Sequence, residues 1–317
     1  MAVFTKWNIH EIEELFSSFS NQKISKVLEI KEGSENSNYL VIAENQQKFI
    51  FTIFEKRLDA NYLPFYLELL KFLDANQLIV PLPLYNSNYK GKNFAFFSFL
   101  EGKSITHPNF YHIQNLVINL AKLHRKGAEF AKNYKEPAPK GVNFLHLYNK
   151  YLRLEKHAHP KLKGIIQGLV KDYYNLDKSS LRQTIIHGDL FRDNVFFLQN
   201  KFSGFIDFFF ARKDYLVCDL AIVINDWCFF YHNNKLEFNL DYYLEILTLY
   251  KYYNHLNKKE LEALKFFLKT GALTFYLSRL EDKVNGEKKL VNSQKDPNEY
   301  LQKLFFHTED RLKFIHF

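Results

Sequence analysis

The chain has 317 residues, of which 47% are hydrophobic, 25% charged and 17% aromatic, and its formal net charge is +8. Two cysteines are too few for a disulfide framework or a zinc cluster, no apolar run is long enough for a bilayer, and the first residues lack signal-peptide order. Lysines are interleaved with acidic residues rather than gathered in a stripe, so we expect a cytoplasmic globular protein without nucleic-acid or membrane partners.

The first part of the chain, residues 1–98, is predicted to form a small lobe of strands with one helix. Apolar, β-branched and aromatic runs predict strands at 24–30, 39–42, 49–54 and 94–100. Apolar residues at helical spacing predict the helix over 64–73, and two X-Pro units make 80–84 extended. A polar turn that contains Gly33 separates the first two strands.

Residues 99–317 are predicted to form a larger lobe dominated by helices. Their apolar spacing predicts helices at 111–124, 145–154, 160–176, 219–231, 241–255, 258–281 and 298–307. Short apolar strands at 185–186, 195–198 and 205–206 interrupt this run of helices. The last two strands are expected to form a hairpin around a turn at 199–204.

The polar residues that follow these short strands are the most informative feature of the chain. Asp189 follows the first strand, Asn194 comes five residues later, and Asp207 comes thirteen residues after that. Because a hairpin brings its open ends together, we expect Asn194 and Asp207 to lie close to each other. Their carboxylate and amide oxygens are hard ligands that suit Mg²⁺. Protein kinases use this order of residues for phosphoryl transfer.

Four motifs together resemble the aminoglycoside phosphotransferase and choline kinase superfamily of small-molecule phosphotransferases. They are His187-Gly188-Asp189, Asn194, Ile206-Asp207-Phe208 and Asp219-Leu220-Ala221. The resemblance implies an α+β, bilobal, protein-kinase-like fold with a small antiparallel-sheet N-lobe (1–98) and a larger, mainly helical C-lobe (99–317). It also implies an enzyme with ATP and Mg²⁺ as cofactors, the ATP lying between the lobes.

Further motifs resemble the homoserine kinase branch of that superfamily. They are Glu35-Asn36-Ser37-Asn38, Thr52-Ile53-Phe54-Glu55-Lys56-Arg57, Leu63-Pro64-Phe65, Phe99-Leu100-Glu101-Gly102 and Asn225-Asp226-Trp227-Cys228. This resemblance implies phosphorylation of the L-homoserine hydroxyl to O-phospho-L-homoserine, a step of threonine biosynthesis. Only a short segment separates Asp207 from Asp219, so a small-molecule acceptor is expected rather than a peptide.

The residues around the catalytic loop receive distinct predicted roles. Asp189 is expected to accept or orient the proton of the acceptor hydroxyl, and Asn194 and Asp207 are expected to bind Mg²⁺. His187 is expected to support the loop through hydrogen bonds. Asp219 is expected at the N-cap of a helix, and the resemblance implies that it also steadies the loop.

The nucleotide is expected under the glycine turn and against the backbone near Ser98 and Leu100. The candidates for phosphate contacts are Gly33, Ser34, Ser37 and Asn38. An ordinary hairpin turn has a similar composition, so the turn alone does not separate the two interpretations. The third strand carries Thr52 where a kinase lysine is expected. Lys56 or Arg57 would supply that charge, unless both are solvated cations at the strand end.

Homoserine is a zwitterion, so its site needs an anion for the ammonium group and a cation for the carboxylate. Asp226 and Arg279 are the candidates, because a bidentate arginine–carboxylate contact gives geometric specificity. Trp227 and Tyr276 are candidates for a cation–π wall around the ammonium group. The alternatives are a surface position for Arg279 and core packing for the two aromatic residues.

Two other functions fit the same residues. One is a kinase of another small alcohol, such as choline, ethanolamine, hydroxylysine or an aminoglycoside. The other is a nucleotide-binding pseudokinase that acts as an interaction module. Thr52 in the lysine position favours the pseudokinase, whereas the complete set of Asp189, Asn194 and Asp207 argues against it.

Overall fold

The computed structural model describes residues 5–30, 36–55, 59–141, 143–285 and 296–309. A five-stranded antiparallel sheet lies in the first part of the chain, and the part that follows is mainly helical. The predicted α+β class is therefore confirmed. The division of the chain at residue 98 stays a prediction.

The sheet-rich part has its strands in the spatial order β1-β2-β3-β5-β4. Its elements are α1 (Ile9–Ser17), β1 (Ile24–Ile30), β2 (Ser37–Ala43), β3 (Lys48–Ile53), α2 (Leu63–Ala75), β4 (Pro83–Tyr89) and β5 (Lys92–Ser98). Side chains of the sheet alternate between two cores. Phe51 and Phe96 pack on one face with Phe16 of α1, and Phe97 packs in a second core with Leu70 of α2.

Helix α1 was not predicted from the sequence, although its start carries a recognisable signal. Asn8 accepts a hydrogen bond from the Glu11 amide, and the Glu11 side chain accepts one from the Asn8 amide. This reciprocal capping satisfies two N–H groups at the start of the helix. Ile12 and Phe16 then bury the apolar face of α1 against the sheet.

The helical part continues from α3 to α9. Its elements are α3 (Phe110–Asn133), α4 (Phe144–Leu154), α5 (Leu162–Asn175), β6 (Gln183–Ile186), β7 (Val195–Leu198), β8 (Lys201–Phe205), β9 (Arg212–Tyr215), α6 (Leu216–Trp227), β10 (Phe229–His232), β11 (Lys235–Phe238), α7 (Leu240–Asn254), α8 (Lys258–Val284) and α9 (Pro297–Thr308). Helix α6 is buried along almost its whole length and packs against α8. Among the described helices, none is both long and apolar enough to cross a membrane.

Several boundaries differ from the prediction, and the largest extension is in α3, which was expected to end at residue 124 and continues to Asn133. The helix expected over 219–231 ends at Trp227, and the chain turns into the hairpin β10–β11. Asn233 and Asn234 at its tip have φ of 48° and 58°, the left-handed conformation that a tight hairpin turn requires. The other turn, expected over 199–204, is shorter because β8 already begins at Lys201.

Two short strand pairs hold the segments that carry the predicted catalytic residues. In the pair β6–β9 Ile186 lies opposite Arg212, and in the pair β7–β8 Val195 lies opposite Phe205. Ile186, Val195 and Phe205 are fully buried. Each strand pair is therefore anchored in the core at the end that leads into the predicted catalytic segments. The loop that starts at His187 and the segment that starts at Ile206 consequently lie side by side.

Candidate active site

A cleft of about 1720 Å³ lies between the sheet-rich and helical parts of the molecule. A typical small-molecule pocket has roughly 300–1,000 Å³, so this cleft has room for a nucleotide and a second substrate. Apolar side chains of the sheet, Ile30, Ile50 and Phe97, form part of one wall, and residues of α8 form part of another. Asp189 and Asp207 also line it.

Asn194 orients Asp189 directly. Its side-chain amide donates hydrogen bonds to the Asp189 carbonyl at 2.7 Å and to Asp189 Oδ2 at 2.8 Å. Because both contacts use the amide nitrogen, the amide oxygen of Asn194 points away from Asp189. Asn194 therefore fixes the carboxylate and presents an oxygen to the cleft that it lines.

Asp207 lies next to Asn194 through a backbone contact. The Ile206 amide donates to the Asn194 carbonyl at 3.0 Å, which joins the two segments one residue before Asp207. Asp207 itself has φ 63° and ψ 59°, a left-handed conformation that costs a non-glycine residue about 1 kcal/mol or more. The two side chains offer an amide oxygen and a carboxylate to the cleft, a hard-oxygen donor set that fits Mg²⁺.

Asp219 binds the start of the catalytic loop. Its two carboxylate oxygens accept hydrogen bonds from the amides of His187 at 2.7 Å and Gly188 at 2.8 Å. Burial raises the pKa of Asp219, but hydrogen bonds from His124 and from the loop outweigh burial and hold the pKa below its usual value. Helix α6 begins at Leu216, so Asp219 lies in its first turn and is not its N-cap.

A buried hydrogen-bond chain behind Asp219 was not found from the sequence. His124 of α3 contacts Asp219 Oδ2 at 3.1 Å through Nε2 and the Tyr250 hydroxyl at 2.5 Å through Nδ1. Asn254 donates to the Tyr250 hydroxyl at 2.8 Å. Since the Asp219 carboxylate accepts, Nε2 of His124 donates to it, and the ring links this carboxylate to the Tyr250 hydroxyl. The sequence signal for this chain is a histidine on the apolar face of α3.

His187 joins the two segments of the site. Its Nδ1 accepts from the Asp189 amide at 3.3 Å, and its Nε2 donates to the Ile206 carbonyl at 2.9 Å. Burial lowers the pKa of His187 to about 4, so the ring is neutral near pH 7. The imidazole ring packs on the Phe208 ring, with 4.5 Å between the ring centroids.

The nucleotide-contact predictions fall into three groups. Asn38, Ser98 and Leu100 line the cleft. Ser37 does not line the cleft. Its hydroxyl donates to Glu55 Oε1 at 2.7 Å and accepts from the Thr5 amide at 3.0 Å. Ser37 is therefore a correction, because it alternates away from its cleft-facing neighbour along β2. Gly33, Ser34, Lys56 and Arg57 lie outside the described residues.

Thr52 occupies the lysine position as a neutral, buried residue. Its hydroxyl donates to Asn38 Oδ1 at 2.7 Å, and both side chains line the cleft. Glu68 of α2 contacts Lys71 at 3.1 Å on the helix surface. The sheet wall thus presents a hydroxyl–amide pair to the cleft at this position.

Of the predicted acceptor residues, Arg279 lines the cleft. Its Nη1 contacts Glu299 Oε2 at 2.8 Å and donates to the Asp296 carbonyl at 3.0 Å. Its guanidinium also lies over the Tyr300 ring at 4.4 Å. The side chain is 13% exposed, so Arg279 is a largely buried cation that these contacts fix at the cleft wall rather than a surface residue.

Asp226 and Trp227 do not line the cleft, and both predictions are corrected. Trp227 is fully buried and donates to the Leu190 carbonyl at 3.1 Å. Asp226 accepts from the amide of Arg192 at 2.8 Å and from its Nε at 3.2 Å, which fixes the far side of the catalytic loop. Tyr276 is buried too, and its hydroxyl accepts from the His159 amide. Both aromatic residues are core residues because α6 and α8 pack on each other.

Other polar residues near Arg279 also line the cleft and were missed, among them Ser278 and Asp282. Ser278 precedes Arg279, and Asp282 follows it by one helical turn. Residues three apart on a helix share a face, so the spacing of Arg279 and Asp282 was a usable signal. Together they offer a cation and an anion to a bound molecule.

Comparisons with known proteins agree on one family. A model described as "Phosphotransferase enzyme family" matches residues 26–252. The chain is 33% identical to homoserine kinase of Rhizobium meliloti (strain 1021), with 97% of this chain and 94% of that protein covered. It is 34% identical to homoserine kinase of Agrobacterium fabrum (strain C58 / ATCC 33970), with 97% and 96% covered.

Solved structures of distant sequence share the fold. Amicoumacin kinase hAmiN, in complex with AMP-PNP, Ca²⁺ and Ami, has a TM-score of 0.68 at 16% identity, with 97% of this chain and 94% of that chain covered. A choline kinase from Streptococcus pneumoniae has a TM-score of 0.68 at 15% identity, with 95% and 98% covered. These similarities confirm the predicted kinase-like fold.

Proposed function

This chain is a kinase that belongs to the phosphotransferase enzyme family, and from that premise we propose that it phosphorylates the hydroxyl of L-homoserine with Mg²⁺-ATP. The observation that carries the proposal is one cleft lined by Asp189, Asn194, Asp207 and the held cation Arg279. Homoserine kinases with 33% and 34% identity along nearly the whole chain support this acceptor. The product would be O-phospho-L-homoserine, which gives threonine biosynthesis as the proposed context.

Asp189 is the proposed catalytic residue. Its carboxylate would accept a hydrogen bond from the acceptor hydroxyl and hold the attacking oxygen toward the nucleotide. Asn194 donates to Oδ2 of Asp189 at 2.8 Å, which supports a fixed orientation of the carboxylate in the cleft. A well-placed base of this kind contributes on the order of 10²–10⁴-fold in rate.

Asn194 and Asp207 are the residues that would hold Mg²⁺. Two protein ligands are sufficient for this ion, because water molecules and substrate phosphate oxygens usually supply its other ligands. When bound, the ion supplies charge neutralisation at the phosphate oxygens. Asn38, Ser98 and Leu100 are the described residues that would contact the nucleotide.

Arg279 and Asp282 are the proposed recognition residues for the amino-acid part of the acceptor. Arg279 would bind the carboxylate, and Asp282 would face the ammonium group from the next turn of α8. Choline and ethanolamine lack the carboxylate, so a held arginine at the cleft wall favours homoserine over those alcohols. Asp282 takes the role that the sequence had suggested for Asp226.

Release of ADP from Mg²⁺-ATP tests this proposal, measured with homoserine, choline, ethanolamine, hydroxylysine and an aminoglycoside in turn. Saturable turnover with homoserine alone is expected. Turnover with a different alcohol would keep the chemistry and reject the acceptor. Binding of ATP without turnover of any alcohol would favour the pseudokinase.

A further inference from the structure

Lys303 of α9 is a buried lysine that the proposed chemistry does not use. Its side chain has 0% exposure, and its Nζ lies 2.6 Å from Glu299 Oε1. Full burial of a lysine is rare, because removal of the ammonium group from water costs several kcal/mol. An apolar side chain would hold α9 in the core without that cost, so the charge itself calls for an explanation.

Lys303 shares its carboxylate partner with Arg279. Glu299 Oε1 contacts Lys303, and Glu299 Oε2 contacts Arg279 Nη1 at 2.8 Å. Burial raises the pKa of Glu299, but Lys303 and Arg279 outweigh burial and lower the pKa to about 2. Burial lowers the pKa of Lys303, while Glu299 and Asp226 act in the opposite direction. The triad thus contains two cations and one anion.

The other acids near this triad have partners of their own. Asp226 contacts Arg192 at 3.2 Å, which offsets its charge. The Asp296 carboxylate caps α9 and accepts from the Asn298 amide at 2.9 Å. Asp282 lines the cleft as the proposed partner of the acceptor ammonium group. Glu299 is the carboxylate that contacts the Arg279 guanidinium at 2.8 Å in the described part of the chain.

Aromatic contacts connect the triad to the segment that follows Asp189. Phe191, two residues after Asp189, contacts Phe275 at 4.7 Å between ring centroids, and Phe275 contacts Tyr300 at 5.2 Å. The Arg279 guanidinium lies over the Tyr300 ring, 4.4 Å from its centroid. An acceptor whose hydroxyl reaches Asp189 would therefore extend its other end toward Arg279.

We propose that Lys303 is a specificity-determining residue: its buried charge offsets Glu299, so that Arg279 keeps a net positive charge for an acceptor carboxylate. This inference rests on the proposed function, because it assigns the carboxylate of homoserine to that subsite. Without Lys303, Glu299 would both hold Arg279 and neutralise it. With Lys303, Glu299 still positions the guanidinium, while the triad remains cationic at the cleft wall.

Lys303→Met tests the charge, because methionine has a similar length and no charge. The expected KM for homoserine rises roughly 10- to 100-fold, as the loss of one nearby charge at low effective dielectric predicts. The kcat/KM for 3-amino-1-propanol, which has the ammonium and hydroxyl groups without the carboxylate, should stay unchanged, as should the KM for ATP. Lys126→Met, which breaks an exposed pair with Glu129, is the matched control.

Glu299→Gln and the double variant Lys303→Met with Glu299→Gln distinguish an electrostatic effect on Arg279 from a purely structural role of the triad. The proposal predicts that Glu299→Gln does not raise the homoserine KM, and that the double variant returns it to within about threefold of the wild type. A purely structural brace predicts that both single variants raise the KM and that the double variant is worst. That second pattern would overturn the proposal, even if Lys303→Met alone folds poorly.

Binding of L-2-aminobutyrate, which lacks the hydroxyl, separates this inference from the proposed function. Calorimetry on the wild type and Lys303→Met should show weaker binding in the variant by the same factor as the KM change. Wild-type binding that Lys303→Met weakens, without turnover of homoserine, would reject the function and keep the carboxylate subsite. Equal binding by both proteins, or no binding by the wild type, would reject the subsite.

Discussion

Asp189 owes its position to groups that a substrate would not touch. Asn194 fixes its carboxylate, His187 accepts from its amide, and Asp219 anchors the two preceding amides. Each contact to an ionised or buried group contributes about 1.5–3 kcal/mol, so the loop has little freedom to reorient. This preorganisation is what a phosphoryl-transfer site needs, because catalysis there is mostly positioning.

Asp189→Ala should lower kcat by roughly 10²–10⁴-fold and leave the Kd for ATP unchanged, because the proposed partner of this carboxylate is the acceptor hydroxyl and not the nucleotide. Steady-state turnover and nucleotide titration measure the two quantities. Asp193→Asn, which changes another carboxylate of the same loop, is the control and should keep more than about a tenth of kcat. An ATP affinity that falls as far as kcat would contradict this role of Asp189.

His124→Phe should reduce kcat about tenfold and lower the free energy of unfolding by about 1–3 kcal/mol, since it leaves the buried carboxylate of Asp219 without one partner. Tyr250→Phe removes only the outer contact of the chain and should have a smaller effect on both quantities. Turnover assays and chemical denaturation provide the comparison. A larger effect of Tyr250→Phe than of His124→Phe would rule out this order of support.

Single residues also show where sequence reasoning stops. Asp189, Asn194 and Asp207 line one cleft because paired strands fix their backbone, and local spacing encodes those pairs. Ser37 was misplaced because adjacent residues of a strand point to opposite faces, so Ser37 and Asn38 do not both line the cleft. Asp226 was misplaced because the surroundings of α6 depend on packing between distant elements. Helical spacing relates Asp282 to Arg279, but no local sequence signal indicates that α8 borders the cleft.

The elements divide into those with local signals and those that depend on tertiary contacts. Amphipathic helices such as α3 and α4 were predicted from their apolar stripes, although α3 continues beyond its predicted end. The hairpin β10–β11 was not, because its aromatic residues, Phe229 to Tyr231, continue the apolar character of α6. Its Asn233-Asn234 turn was the local signal against a helix.

Packing of α3 on β6 gives a prediction at the scale of elements. A Cβ on Gly127 would lie 2.5 Å from the Ile185 carbonyl oxygen, so Gly127→Ala should force α3 away from β6. We expect a loss of about 1–3 kcal/mol in the free energy of unfolding. Gly168→Ala in α5 is the matched control: its Cβ meets nothing within 4 Å, and alanine should stabilise the helix by about 0.5–1 kcal/mol. Denaturant unfolding that gives the two changes the same sign would contradict this packing.

At the scale of the whole molecule, the cleft arises because a sheet-rich and a helical part meet along one side. The motif order and the strand-then-helix pattern were sufficient to predict this architecture. The composition of the acceptor side was not predictable, because α8 and α9 follow the catalytic loop by many residues and join it only in the folded chain. The charged triad of Arg279, Glu299 and Lys303 is part of that tertiary contact.

Acid should destabilise the molecule through its buried histidines. Burial lowers the pKa of His307 to about 3, and its Nε2 donates to Asn225 at 2.8 Å. Because this pKa lies below the unfolded value, the stabilising contribution is complete above about pH 6.5 and is lost as the pH falls toward 3. Between pH 7 and 5, His307 should account for about 2 kcal/mol of lost stability. His307→Gln should flatten that part of the pH profile, whereas an unchanged slope would show that His307 is protonated in the folded state.

The proposed activity transfers a phosphoryl group to the homoserine hydroxyl, and ³¹P NMR of Mg²⁺-ATP incubated with homoserine and the protein measures this transfer directly. The predicted spectrum shows ADP and a phosphomonoester resonance that grow together in the wild type and are both missing with Asp189→Ala. ADP that accumulates with inorganic phosphate and without the ester would show hydrolysis rather than transfer, and would contradict the account.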